Sequence, residues 1–185
     1  MNRLTLILGG ARSGKSRFAM EHGKKSGASK YYIATAQALD PEMARRIEMH
    51  RGERSSDWTT LEEPIQLAEA LQSVEGKADL AVIDCLTLWL SNLLIAMESD
   101  EKKVMDRIDQ LVTVMTRLDL SIIAVSNEVG LGIIPADPLS RLFRDLAGVL
   151  HQRLARVSHE VYWMTAGLAV QIKGDRNADI ANRAG

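Results

Sequence analysis

At 185 residues the chain has the length of one ordinary domain, and folding at this size buries roughly 70% of the extended chain's surface without staples. Apolar residues make up 46%, charged residues 25%, and the formal net charge is −1. That balance excludes a basic nucleic-acid reader or an electrostatic membrane binder, and it favours a small-molecule partner. Cys85 is the only cysteine, so an intramolecular disulfide is excluded, a thiolate metal cage is disfavoured, and a reducing compartment suits the chain.

The N-terminal MNRLTLILGG has an apolar run too short for a signal peptide, and it enters a Gly-rich turn instead of a cleavage site. No stretch approaches the roughly 20 apolar residues that span a bilayer. The expectation is a cytoplasmic protein without membrane insertion. In chain order, the apolar run at 4–8 predicts a strand and 16–22 a helix; 31–34 predicts a second strand. Residues 43–51 read as a helix behind Pro41, which suits a first turn. Residues 80–83 read as a strand, and Val104, Ile108, Leu111, Val112, Met115 and Leu118 recur at helical spacing. A strand at 122–126 precedes a second long helix carrying Leu139, Leu142, Phe143, Leu146, Leu150 and Leu154, with Asp137 as N-cap and Pro138 behind it. Strands at 161–165 and 168–173 predict an antiparallel hairpin turning at Gly167.

Most of these strand runs are apolar without alternation, as in strands covered on both faces. Together with the intervening helices they predict an α/β fold with a mostly parallel sheet flanked by helices. No repeat, low-complexity block or linker interrupts it, so residues 1–173 read as a single catalytic domain; 174–185, polar and aperiodic, read as a flexible tail.

The strongest signal is Gly9-Gly10-Ala11-Arg12-Ser13-Gly14-Lys15-Ser16, which satisfies G-x-x-x-x-G-K-[ST] at every fixed position, after a strand and before a helix. Such a loop curls so that successive N–H groups face an anion, and the following helix adds the positive end of its dipole. Lys15 supplies a full charge for the β and γ phosphates, while the Ser16 hydroxyl suits Mg²⁺. Asp84 closes the apolar run 80–83, where a second Mg²⁺ contact belongs, although it could also cap the next helix. Arg12, at the crown of the loop, could reach a phosphate or face solvent.

Residues 40–54 place Arg45, Arg46, Arg51 and Arg54 around His50. Basic groups so spaced could embrace a triphosphate and hold a nucleophilic imidazole beside it, and a solvated helix with a Glu42–Arg46 pair would show the same pattern. The stretches 126–135 and 84–92 leave predicted strands, so they should border a pocket at the carboxyl edge of the sheet. His22, His151 and His159 read as structural, on polar helix faces or near a strand start. Trp58, Trp89 and Trp163 read as packing residues more readily than as a ligand platform.

GGARSGKS, YIATAQ, R-I-x-x-H-x-x-x-R, DCLTLWLSNLL, NEVGLGIIP and FRDLAG follow one another in register between about residues 4 and 173. In these six segments the chain resembles the bifunctional adenosylcobinamide kinase / adenosylcobinamide-phosphate guanylyltransferase family of cobalamin biosynthesis. The resemblance implies a RecA-like P-loop fold assembled as a homotrimer. It implies phosphorylation of the aminopropanol hydroxyl of adenosylcobinamide with ATP or GTP. GMP from GTP would then pass through a guanylyl-histidine to the phosphorylated corrinoid, giving adenosylcobinamide-GDP. The histidine falls on His50. Nucleotide contacts fall on Gly9, Gly10, Ala11, Arg12, Ser13, Gly14, Lys15 and Ser16, on Ala34, Thr35 and Ala36, on Arg51, Gly52, Glu53 and Arg54, and on Glu62 and Asp84. Ser16 and Asp84 would hold Mg²⁺, directly or through water. Many members carry two adjacent histidines where this chain has Met49-His50; the second is the nucleophile's position. Two other readings of the same motifs are a small-molecule P-loop kinase without a covalent intermediate and a nucleotide-dependent switch ATPase or GTPase.

Overall fold

The computed structural model describes residues 3–24, 29–38, 40–52 and 57–174; the side chains of Arg46 and His50 lie outside that description, as do Glu53, Arg54 and the part of the predicted tail after Gly174. The elements are β1 (Leu4–Gly9), α1 (Lys15–Gly23), β2 (Lys30–Ala34), α2 (Pro41–Gly52), β3 (Trp58–Glu62), α3 (Leu67–Val74) and β4 (Leu80–Asp84). They continue as α4 (Leu86–Ala96), α5 (Glu101–Arg117), β5 (Ser121–Asn127), α6 (Pro138–Val157), β6 (Glu160–Thr165) and β7 (Leu168–Lys173).

Seven strands form one sheet in the order β3-β2-β4-β5-β1-β6-β7. The pairings from β3 across to β6 are parallel, and β7 alone runs antiparallel, beside β6. The expected α/β architecture with a C-terminal antiparallel hairpin is therefore present. Its turn comprises Ala166 and Gly167, both at positive φ, as a two-residue turn matched to strand twist requires.

Alternate side chains of each strand enter two cores, because a strand's side chains alternate between faces. On one face Leu4, Leu6, Leu8, Ala81, Ile83, Ile122 and Ala124 meet α3, α4, α5 and α6 through Leu71, Trp89, Leu93, Ile108, Leu111, Leu150 and Leu154. On the other, Ile7, Tyr32, Leu80, Val82, Ile123 and Val125 meet Ala19 and Phe18 of α1. Apolar runs without alternation follow directly from this double coverage.

Asp137 caps α6 as expected, its carboxylate accepting from Ser140 N at 2.7 Å with Pro138 at the first turn. Three elements are additions to the predicted set. α4 is apolar almost all round, so it carries no clear helical stripe. β3 is a short edge strand with a mostly exposed, polar sequence, so it lacks the apolar run of a covered strand. α3 does carry a legible signal, Leu67, Ala70, Leu71 and Val74 at helical spacing. The stretch 84–92 is thus mostly core helix. Trp89 and Trp58 are buried, and Trp163 packs against the first core.

The histidines need one correction. His151 does not sit on a polar helix face: it is buried among the core residues of α6. His22 and His159 hold structural contacts, to Glu160 Oε2 at 3.2 Å and from Leu4 N at 3.0 Å respectively.

Candidate active site

The loop between β1 and α1 takes its shape from glycine and from its neighbours. Gly9 has φ +152, and a Cβ there would lie 2.3 Å from Met164 O and 2.9 Å from Ser13 Oγ. Gly14, at φ +92, N-caps α1, a left-handed backbone that costs other residues free energy. Three main-chain bonds fix the loop to the sheet and to α1: Glu128 N donates to Gly9 O (3.0 Å), Gly167 N to Ser13 O (3.2 Å), and Phe18 N to Gly14 O (3.0 Å). The β5 end and the β6–β7 turn thus both clamp the phosphate loop.

Lys15 is buried under this loop, where its Nζ donates to Gly10 O at 2.5 Å and lies 3.4 Å from Ser13 Oγ. Burial holds its pKa below the ordinary lysine value, and the nearby Cys85 and Asp84 push the other way. A phosphate would favour the ammonium in the same manner and draw it off the loop carbonyl.

Asp84 ends β4. Its Oδ2 accepts from Tyr32 OH at 2.5 Å, so β2 orients the carboxylate. The Asp84–Cys85 peptide is cis, and Cys85 is tied on both sides to Thr35: Cys85 N donates to Thr35 Oγ1 at 2.8 Å, and that hydroxyl donates to Cys85 O at 2.7 Å. Asn92 Nδ2 of α4 donates to Thr35 O at 2.8 Å, extending the lock.

These groups open on a cleft of about 1520 Å³. Ala11, Arg12, Ser13, Gly14, Lys15 and Ser16 form its floor with Asp84, and Ala34, Ala36 and Glu62 continue the wall. α2 also lines it, through Met43, Ala44, Ile47 and Arg51. Arg51 pairs with Glu62, so these two expected nucleotide contacts, both in the cleft lining, meet each other. Thr35 does not line the cleft; its side chain is wholly buried in the lock with Cys85. Gly9, Gly10 and Gly52 also lie off the lining, Gly9 being packed against Met164 and Ser13. The α2 backbone carries position 50 one turn beyond Ile47.

Sequence reasoning gave Tyr32 and Gly167 no place at the site, whereas Leu88 and Asn127 fall in the two stretches expected to border it. Tyr32, Leu88, Asn127 and Gly167 all line the cleft. Of the stretch 126–135, only Asn127 does so; Leu131, Ile133 and Ile134 are exposed elsewhere on the surface. The available signal for Asn127 was its place at the carboxyl end of an apolar strand.

Among the described residues no three His, Cys, Asp or Glu side chains gather into a metal cage. The oxygen pair Ser16 and Asp84, both on the cleft floor, is instead the sparse hard-donor set that suits Mg²⁺ completed by phosphate and water. No helix among the described residues is long and apolar enough to cross a membrane.

The architecture matches a known fold. A crystal structure of the RadB recombinase superposes with a TM-score of 0.55 at 16% identity, covering 94% of this chain and 82% of that one. At that identity the likeness establishes the RecA-like fold and nothing about activity. Sequence comparison goes further. The family model for cobinamide kinase / cobinamide phosphate guanyltransferase matches residues 5–172. The bifunctional adenosylcobalamin biosynthesis protein CobP of Pseudomonas aeruginosa is 47% identical over 92% of this chain and 97% of its own length. The corresponding CobU of Escherichia coli is 37% identical over 92% of this chain and 99% of its own. The chain therefore belongs to the cobinamide kinase / cobinamide phosphate guanyltransferase family and is a bifunctional, nucleotide-using enzyme of cobalamin biosynthesis.

Proposed function

We propose that one nucleotide cleft serves both half-reactions, with the triphosphate on residues 11–16 and His50 as the guanylyl acceptor. The observation that carries this is the cleft itself: Lys15, Ser16 and Asp84 line it, and so does the helix bearing position 50. In the kinase step the aminopropanol hydroxyl of adenosylcobinamide attacks the γ phosphorus of ATP or GTP. Lys15 and the loop amides absorb the charge that develops there. Bound to Ser16 and Asp84, Mg²⁺ would supply further charge neutralisation on the phosphate oxygens. In the second step neutral His50 takes GMP from GTP with loss of pyrophosphate, then yields it to adenosylcobinamide phosphate. Arg51 and Glu62 would exchange their mutual pair for nucleotide contacts, alongside Ala34 and Ala36. Gly52, Glu53 and Arg54 are taken as further nucleotide contacts on the family resemblance alone, and Thr35 contributes by fixing the strand ends.

The proposal takes residues 1–173 as one catalytic domain working in the cytoplasm, where nucleoside triphosphates and a lone reduced cysteine are both at home. A homotrimer is supported by β7, whose Leu168, Val170 and Ile172 leave an apolar edge face exposed. The test is incubation with GTP labelled at the α phosphate in the presence of Mg²⁺, followed by mass mapping. The expected adduct is one GMP on His50, labile in acid and persistent in alkali, as a phosphoramidate is. A His50→Ala variant that still acquires the label would overturn the assignment.

A further inference from the structure

The sheet order places β5 between the strand that ends in Asp84 and the strand that ends in the phosphate loop. In register, Asp84 lies beside Val125, and Gly9 beside Asn127. Asn127, the last residue of β5, therefore projects two positions beyond the level of Asp84 and abreast of the start of the loop. It lines the same cleft as Lys15, Ser16 and Asp84.

Its backbone is mounted with unusual care. Asn127 N donates to Thr87 Oγ1 at 2.7 Å, and that hydroxyl lies 3.3 Å from Ser126 Oγ. Ser126 Oγ is in turn hydrogen-bonded to His151 Nε2 at 2.7 Å, and His151 Nδ1 lies 3.5 Å from Glu128 Oε2. Thr87, Ser126 and His151 are all buried. The residue after Asn127 closes the circuit, since Glu128 N donates to Gly9 O. The buried bonds from Asn127 N through Thr87 and Ser126 to His151 Nε2 stiffen what they hold, while His151 Nδ1 makes no hydrogen bond among the described residues and has only the Glu128 carboxylate near it. What these bonds hold is the strand end carrying Asn127, at a fixed offset from the phosphate loop.

We propose that Asn127 is a further catalytic residue, its side-chain amide donating to the transferring γ-phosphoryl group, with Thr87 as its positioning residue. The register argues for the γ end of the nucleotide: Asn127 ends the strand between the one that leads into the phosphate loop and the one that ends in Asp84. An amide suits this role because Nδ2 donates without adding charge. It acts where charge develops in phosphoryl transfer, and contributes less to attack at the α phosphorus.

This inference rests on the nucleotide lying on residues 11–16, and the experiment separates the two. With GTP as the common nucleotide, phosphorylation of adenosylcobinamide and guanylylation of adenosylcobinamide phosphate are assayed separately. Asn127→Ala should lower kcat of the kinase step about 10²-fold. Its KM for GTP should stay nearly unchanged, and guanylylation should fall only a few-fold. Thr87→Val should move the same ratio in the same direction, and Thr87→Ser should restore it, which a merely structural loss at a buried site would not do. Equal losses in both activities, a pure KM effect, or no change in Asn127→Ala would overturn the assignment. Lys15→Ala is the reference: if both activities survive it, the nucleotide site itself is misplaced and both proposals fall.

Discussion

Thr35→Val probes how the ends of β2 and β4 are locked together beside Asp84. Valine matches threonine in shape, so the perturbation removes a hydroxyl and leaves the packing. That hydroxyl accepts from Cys85 N at 2.8 Å and donates to Cys85 O at 2.7 Å, and Thr35 is wholly buried. The two losses are unequal. Cys85 O keeps a second partner, Trp89 N at 3.2 Å, so losing the hydroxyl there costs only one net hydrogen bond, about 1 kcal/mol. The Cys85 N–H is left buried with no acceptor, which costs about 1–3 kcal/mol. The extra apolar methyl returns up to about 0.8 kcal/mol. The sum is a destabilisation of about 1–3 kcal/mol, equivalent to a melting shift of roughly 3–12 °C for a chain of this size. Thr35→Ser keeps both hydrogen bonds and loses one methyl, at about 1 kcal/mol. Urea unfolding followed by circular dichroism, with m unchanged, measures both variants, and kinase assays should show the larger loss in the valine variant because Asp84 adjoins Cys85. A valine variant at least as stable as the serine variant would refute the reasoning.

Gly9→Ala should cut nucleotide affinity at least about 10-fold, since its Cβ would press on the Met164 carbonyl at 2.3 Å and displace the loop amides; titration calorimetry with a non-hydrolysable GTP analogue measures it. The Cys85 thiol, pushed up to about 11 by burial and by the Asp84 charge, should resist a disulfide reagent at pH 8 until the protein is unfolded, read as absorbance of the released thiolate. Burial, only partly offset by Glu128, holds the His151 pKa below its ordinary 6.5. The unfolded chain therefore binds more protons below pH 6.5, and stability contributed by the neutral fold is present above that value and declines as pH falls beneath it. The slope from this group cannot exceed about 1.4 kcal/mol per pH unit, and urea midpoints at several pH values should show it flattened in His151→Gln.

Some features were legible in the sequence because their physics is local. Consecutive residues 9–16 define an anion-binding loop wherever the chain folds it, and Asp137 with Pro138 defines a helix start within one turn. Apolar runs at 80–83 and 122–126 announce covered strands by composition alone, and six segments in register carried the family. The missing elements have equally local explanations: α4 is too uniformly apolar to show a period, and β3 too polar to look like a strand.

What only the tertiary structure decided is adjacency. Nothing in the spacing of residues 35, 85 and 92 says that they meet, and nothing in the spacing of 87, 126 and 151 says that they form one buried chain. The first set comes from the pairing of β2 with β4 and the second from the crossover that inserts β5 between β4 and β1, and the order of strands in a sheet depends on how whole helices pack over its faces. For the same reason His151, flanked by Leu150 and Gln152, lies inward, and Thr35 turns away from the cleft. Sequence determined which groups could handle a triphosphate; the sheet determined which of them stand together around it.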